Sequence, residues 1–435
     1  MKKLNLRTWL LLIFATTLFT ACDDNDDPLN IEACFTFSPE ENIQVGDTVY
    51  FTNCSEEATE YSWNFGDETT STDVDPFHIY TEPGNYNVTL IAESAGIMVE
   101  ATATVSVGAD LSYIINYGSY SGDKSTITTY DKYADAVENG FYKTVNGVDL
   151  TSNIQYAYEY EGNIYFMGNA ADQVFWVDAK TFQQTQNAIT DVVKPRYCVA
   201  SGDYLYVSCW GGDVWADQTL SYIAKINLST KSVEKKITVH GGPEGLEIVN
   251  GKLYAALNYT EAVAVVDLAT DEVSTIAMPA GNIPSYFEKD DNNNLYVVLG
   301  IAYGDEITKT GIGYLNTSSD ELETTYELDG VSSMTYVDIF EFNDDYSKLY
   351  VMTQQGYGQP GAVAVFDVAS KSFEAENFID NVMGINGVGF NDGKVFCFFS
   401  ESTTSNGKVK TYSEDGTALN EFETGIAPFM LLTVE

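Results

Sequence analysis

A single phrase recurs seven times between residues 111 and 412: an apolar-Tyr-apolar strand, followed 13 to 21 residues later by the polar end of a second strand. The strand centres fall at Tyr113, Tyr165, Tyr206, Tyr254, Tyr296, Tyr350 and Phe396, and the matching ends at Asp131, Asp178, Asn227, Asp267, Asn316, Asp367 and Ser413. Steps of 41 to 54 residues between centres, with four short β-rich runs per unit, exclude a helical solenoid and fit radially repeated four-stranded sheets. The clearest unit runs from Gly242 to Ile276, where Asn250-Gly251 supplies the two positive-φ positions of a type I′ hairpin turn. The pattern predicts an all-β chain whose residues 109–435 form a seven-bladed β-propeller.

Most variation in unit length falls between the second and third strands. In a propeller that loop shares a face with the connections from blade to blade, so the inserts and blade entries are expected to form one recognition surface. The inserts Asn116–Asp123, Cys209–Asp217, Gly300–Asp305 and Gln354–Gly361 are rich in Tyr, Trp and Gly. The blade entries add Lys194-Pro-Arg-Tyr197, Gly242-Pro-Glu-Gly245, Ile283-Pro-Ser-Tyr286 and Met334-Thr-Tyr336. Tyr and Trp offer large, rigid contact area with a polar end, and Gly lets backbone approach a ligand. Packing between blades is the competing role for any single tyrosine.

The chain has 435 residues, room for more than one domain, and its 21 basic against 64 acidic residues give a net charge of −43. Such a surface repels phosphate backbones and anionic lipid, which excludes nucleic acid as a partner. Residues 1–21 read as an export signal: Met1-Lys-Lys-Leu-Asn-Leu-Arg7 is positive, Trp9–Phe19 is apolar but too short to span a bilayer, and small residues precede Cys22. This arrangement resembles a bacterial lipoprotein signal, which implies lipidation at Cys22. Asp23-Asp-Asn-Asp-Asp27, within an acidic tether over 22–30, resembles the tag that sends lipoproteins of Bacteroidetes to the outer face of the outer membrane. The implied location is the cell surface, with the membrane touched through the lipid anchor only.

Residues 31–108 alternate as sandwich strands do. The phrase Trp63-Asn-Phe-Gly-Asp67, followed by His78-Ile-Tyr80 and Pro83-Gly-Asn-Tyr-Asn-Val88, resembles the PKD domain, an immunoglobulin-like β-sandwich. That resemblance implies a packing role for His78 and a spacer or docking role for the module. Cys34 and Cys54 fall on neighbouring strands and are expected to form a disulfide in an oxidising compartment. Cys198 and Cys209 flank one hairpin and read as diagonal, while Cys397 reads as core.

Catalytic signals are sparse. With only His78 and His240, a Ser-His-Asp or Cys-His arrangement has almost no raw material, and no phosphate loop or dinucleotide fingerprint appears. Two carboxylates can hydrolyse a glycoside, but among 64 acids chance proximity is the default. Asp213, Asp217, Asp305 and Glu306 sit in long loops where Ca²⁺ is conceivable, with surface solvation the simpler role. No zinc spacing occurs. The sequence thus predicts a binding protein rather than an enzyme, without cofactor or metal.

The segment Tyr113–Asp131, the Pro195-Arg-Tyr197 entry with Leu205-Tyr-Val-Ser-Cys-Trp-Gly-Gly212, and Gly242-Pro-Glu-Gly-Leu246 resemble YncE-like surface propellers of gut Bacteroidetes, in particular the BtuG group. The opening departs from that group's Asn-Glu-Gly form, having Asn116-Tyr117-Gly118. The resemblance implies a lipoprotein that captures cobalamin (vitamin B12) or another corrinoid, as ligand and not cofactor, and hands it to a TonB-dependent outer-membrane transporter. A corrinoid is a broad, largely neutral disc edged with amides, which a mouth of aromatic faces and amide partners can cover. The expected mouth is Tyr117, Tyr120, Arg196, Tyr197, Trp210, Trp215, Glu244, Asn258, Tyr259, Tyr286, Tyr303, Tyr336 and Tyr357. A glycan-binding or adhesive surface protein and a siderophore-capturing propeller are the alternatives.

Overall fold

The computed structural model describes residues 30–40, 43–119, 122–184, 186–301, 310–331, 339–354, 360–402 and 404–434. Cys22, Tyr120, Tyr303, Tyr336, Tyr357, Asp305 and Glu306, singled out above, lie outside the described residues. The chain divides after Gly108 into two compact units. Among the described residues no helix is long and apolar enough to cross a membrane.

The first unit is a sandwich. One antiparallel sheet joins Phe35–Ser38, Thr48–Asn53 and Phe77–Ile79; the other orders Ile43–Gln44, Ile97–Gly108, Gly84–Ser94, Glu60–Asn64 and Thr70–Ser71. Alternation puts Val49, Phe51, Trp63, Val88, Leu90 and Val105 inside. Burying such side chains contributes roughly 1.5–3 kcal/mol each. Trp63 keeps its indole N–H satisfied through the Asp73 carbonyl at 2.9 Å. His78 stacks on Phe65 with ring centroids 4.3 Å apart and meets Asp67 Oδ2 at 2.6 Å, so both residues fix the Phe65-Gly66-Asp67 turn. Cys34 and Cys54, at the ends of paired strands, form a disulfide.

Among its described residues the second unit forms seven antiparallel sheets. Six follow in chain order, with innermost strands Ile154–Tyr160, Pro195–Ser201, Pro243–Val249, Ile283–Lys289, Phe340–Phe342 and Ile385–Asn391. The remaining sheet, the first blade, comprises Leu111–Asn116, Thr126–Asp131 and Ala136–Asn139, and takes its inner strand, Pro428–Leu432, from the far end of the chain. The innermost strands contact one another in cyclic order, so this strand closes the ring. Each repeated aromatic, from Tyr113 to Phe396, sits on the second strand from the axis and is buried.

The repeated Asp or Asn ends the third strand for a local reason. Its side-chain oxygen accepts backbone N–H groups two or three residues on, closing the turn into the fourth strand: Asp131 Oδ1 from Tyr133 and Ala134, Asn227 Oδ1 from Ser229 and Thr230, Asp267 Oδ1 from Ala269 and Thr270. Asn250 and Gly251 take φ of 51° and 77°, as the hairpin turn requires. Cys198 and Cys209 pair with Val207 and Pro195 respectively, not with each other, and remain buried free thiols, as does Cys397.

Candidate functional site on the inner strands

Four consecutive innermost strands open with the same irregularity. In Ile154-Gln-Tyr-Ala157, Pro195-Arg-Tyr-Cys198, Pro243-Glu-Gly-Leu246 and Pro284-Ser-Tyr-Phe287, the first and fourth residues pair with positions only two apart on the second strand. The extra residue makes a β-bulge, which takes the two middle side chains out of the ladder and re-aims them.

The first of these middle positions builds a polar arc across adjacent blades. Arg196 Nη1 donates to Gln155 Oε1 at 2.9 Å, Nε to both carboxylate oxygens of Glu244 at 3.0 Å, and Nη2 lies 3.0 Å from Glu244 Oε1. The Arg196 side chain is 13% exposed and that of Glu244 4%. Ser208 locks the backbone around them: its Oγ donates to the Glu244 carbonyl at 2.7 Å and accepts the Tyr197 N–H at 3.0 Å. The fourth member, Ser285, is fully buried, and its Oγ has no hydrogen-bond partner among the described residues.

The second middle position carries Tyr156, Tyr197, Gly245 and Tyr286. The Tyr156 and Tyr197 rings stack at 3.6 Å and 17°, and Tyr286 reaches Tyr197 at 6.2 Å across the intervening glycine. A Cβ on Gly245 would stand 2.7 Å from the Ser285 carbonyl oxygen and 2.8 Å from the Tyr286 Cα, so only glycine fits there.

Trp210, just beyond the second strand of the same blade as Arg196, covers the guanidinium at 4.0 Å. Tyr259 presents an edge contact to Trp210 at 5.6 Å and to Trp215 at 5.0 Å. Gly242, at φ 66°, makes room for this group, since a Cβ would approach Tyr259 Cδ2 to 2.4 Å. The Trp210 indole N–H is buried with no partner among the described residues. Tyr117, half-buried against Phe429, accepts on its carbonyl from Asn153 and Ser125 at 2.8 Å. Asn258 Nδ2 lies 3.5 Å from the Pro284 carbonyl.

Burial works against the Arg196 charge, but Glu244, with Tyr286 and Tyr117 nearby, more than offsets it and raises the guanidinium pKa. Burial pushes the Glu244 carboxyl above its ordinary range while the guanidinium pulls it down. Burial likewise pushes the Tyr156 hydroxyl well up and that of Tyr259 to about 12, so both rings stay neutral. With both oxygens committed to Arg196, Glu244 is a poor candidate for proton transfer to a ligand. Among the described residues no group of three or more His, Cys, Asp or Glu could hold a metal; Asp213 and Asp217 accept from Trp215 N and Thr219 N in their own loop.

The structure therefore brings together Arg196, Tyr197, Trp210, Trp215, Glu244, Tyr259 and Tyr286, with Tyr117 and Asn258 at the edges of the group. Sequence reasoning missed Gln155, Tyr156, Ser208 and Ser285. The signal for the first two was available: Gln155, Arg196 and Glu244 each stand ten residues before their unit's repeated tyrosine, and Ser285 eleven.

Residues 34–108 match the family model of the PKD domain, and residues 110–276 match that of a domain of unknown function, DUF5074. No curated protein matches the chain. Among solved structures, a quinoprotein alcohol dehydrogenase-like protein from Bacteroides thetaiotaomicron is 16% identical with a TM-score of 0.56, over 90% of this chain and 95% of that one. Hydrazine synthase of Kuenenia stuttgartiensis is 15% identical with a TM-score of 0.50, over 61% of this chain and 85% of that one. At such identities the likeness is one of fold. Among the described residues the chain is nearly all-β, a PKD domain followed by a β-propeller, with one short α-helix at Phe141–Asn146.

Proposed function

We propose that this protein is a lipid-anchored receptor on the outer face of a Bacteroidetes outer membrane, which captures cobalamin or another corrinoid on the inner-strand mouth of its propeller and passes it to a TonB-dependent transporter. It binds without chemistry; the corrinoid is cargo, not cofactor. The observation that carries this reading is the assembly of Tyr156, Tyr197, Trp210 and Tyr259 around the compensated Arg196–Glu244 pair. Such a surface offers broad aromatic area and fixed polar groups, which suits a large, flat molecule edged with amides. The Cys22 signal and the acidic run after it support the location. An anionic ferric siderophore finds no general attraction in a chain of net charge −43.

Calorimetric titration of the protein lacking residues 1–22 with cyanocobalamin tests the reading. One-to-one binding is expected, weakened by at least about tenfold in Trp210→Ala, because that ring is an aromatic anchor at the centre of the group. Absence of heat at high micromolar ligand would sink the corrinoid reading. One observation favours a second reading: Trp215 is 58% exposed with its ring against Tyr259, a platform that suits the C–H face of a sugar. Binding on a carbohydrate array without corrinoid binding would select a glycan-binding role.

A further inference from the structure

We infer that Glu244 sets the charge class of the ligand: by cancelling the Arg196 charge inside the site, it makes the mouth select molecules of no net charge that bear hydrogen-bond acceptors and reject those of net negative charge. The inference rests on the reading that the inner-strand mouth is a ligand site, and it deepens that reading.

The guanidinium has five N–H donors in a fixed fork. Glu244 accepts from Nε and Gln155 from Nη1, while Nη2 lies 3.0 Å from the same carboxylate, so at least one N–H on Nη1 and one on Nη2 have no hydrogen-bond partner among the described residues. Trp210 covers one guanidinium face, yet the side chain keeps 13% of its surface open. Nearby, the Trp210 indole N–H and the Ser285 hydroxyl are buried polar groups without partners among the described residues. The site is thus rich in donors but, as an Arg–Glu pair, carries no net charge. An incoming anion would meet a carboxylate already seated on the guanidinium and would be desolvated without a free counter-charge. An amide carbonyl or hydroxyl can accept from the unfilled donors without that cost.

Strand geometry does not demand a carboxylate at this place. The equivalent bulge position holds Gln155 one blade before Arg196 and Ser285 one blade after Glu244, both uncharged. A neutral residue at 244 would leave the same bulge with an uncompensated guanidinium, the usual recipe for binding carboxylate or phosphate. Glutamate is the residue that removes this option.

The test uses the whole protein in detergent and two calorimetric probes: cyanocobalamin, and the same molecule with one side-chain amide hydrolysed to a carboxylate. Wild type is expected to prefer the neutral form by at least about tenfold. Glu244→Gln is expected to abolish or invert that preference. Equal affinities in wild type, or an unchanged ratio in the variant, would overturn the inference. A separate arm titrates citrate and follows tryptophan fluorescence: E244Q should gain saturable binding that wild type lacks, and the paired change Arg196→Met with Glu244→Met should not. If no form binds cyanocobalamin, the corrinoid reading fails while the citrate arm still decides the charge class, since no gain in E244Q would refute it. Should E244Q not fold, Gln155→Glu replaces it; a second carboxylate beside the guanidinium should widen the wild-type preference, and a narrowed or unchanged ratio would count against the inference.

Discussion

Asp178, Asp267 and Asp367 hold the turns that end their third strands, and each has its carboxyl pulled below the ordinary range. For Asp178 and Asp267 the leading cause is a backbone N–H, from Thr181 and Thr270, and for Asp367 it is the Ser370 side chain. A carboxyl with a lower pKa in the folded than in the unfolded chain stabilises fully above the unfolded value of about 3.9 and loses that contribution as pH falls through the folded value. The third and fifth blades do the same work with Asn227 and Asn316, whose Oδ1 atoms accept from Ser229, Thr230, Ser318 and Ser319 without any charge. Replacing all three aspartates by asparagine should keep the turns and flatten the acid dependence of stability between about pH 4 and pH 2. Urea unfolding at those two pH values checks this; an unchanged slope would move the acid sensitivity elsewhere. These residues were legible as strand ends because a turn-closing oxygen must stand at a fixed place after each apolar run. Charge at that place is incidental, which is why Asp and Asn alternate there and why no chemistry attaches to it.

At the scale of the strand, the bulge is the device that turns a ladder into a site. Gly245 is its tightest point: alanine there would press on the Ser285 carbonyl and the Tyr286 backbone. We expect Gly245→Ala to cost about 1–3 kcal/mol, as overpacking does, and to weaken ligand binding through displacement of Tyr286. Thermal unfolding paired with titration checks both; a variant of unchanged stability would show that the neighbouring blade yields easily. The second strands were readable because their apolar residues follow a simple period and are buried on both faces. Bulges hide from that reading, since one extra residue reverses the alternation and so disguises which side chains share a face. Proline marks the site at 195, 243 and 284, but Ile154 stands in its place in the second blade, so Gln155 and Tyr156 went unnoticed although they complete the arc.

For the propeller as a whole, closure depends on Pro428–Leu432, which pairs antiparallel with Leu111–Asn116 and buries Phe429, Met430 and Leu432. Ending the chain at residue 427 removes the inner strand of the first blade and three buried side chains worth roughly 1.5–3 kcal/mol each. The expected result is a lower, broader melting transition and early proteolysis within the first blade; a melting curve like that of the intact protein would show that the ring holds without its last strand. Nothing near Tyr113 announces this arrangement. The first unit merely looks one strand short, and the missing piece lies some three hundred residues further along the chain, where no local period can connect the two. Since Leu432 pairs with Tyr113, the two ends of the propeller's chain are neighbours in space. The order of its blades is therefore a circle with no built-in starting point: a short join across that seam, with new ends opened at any outer turn, yields a permuted chain that traces the same ring.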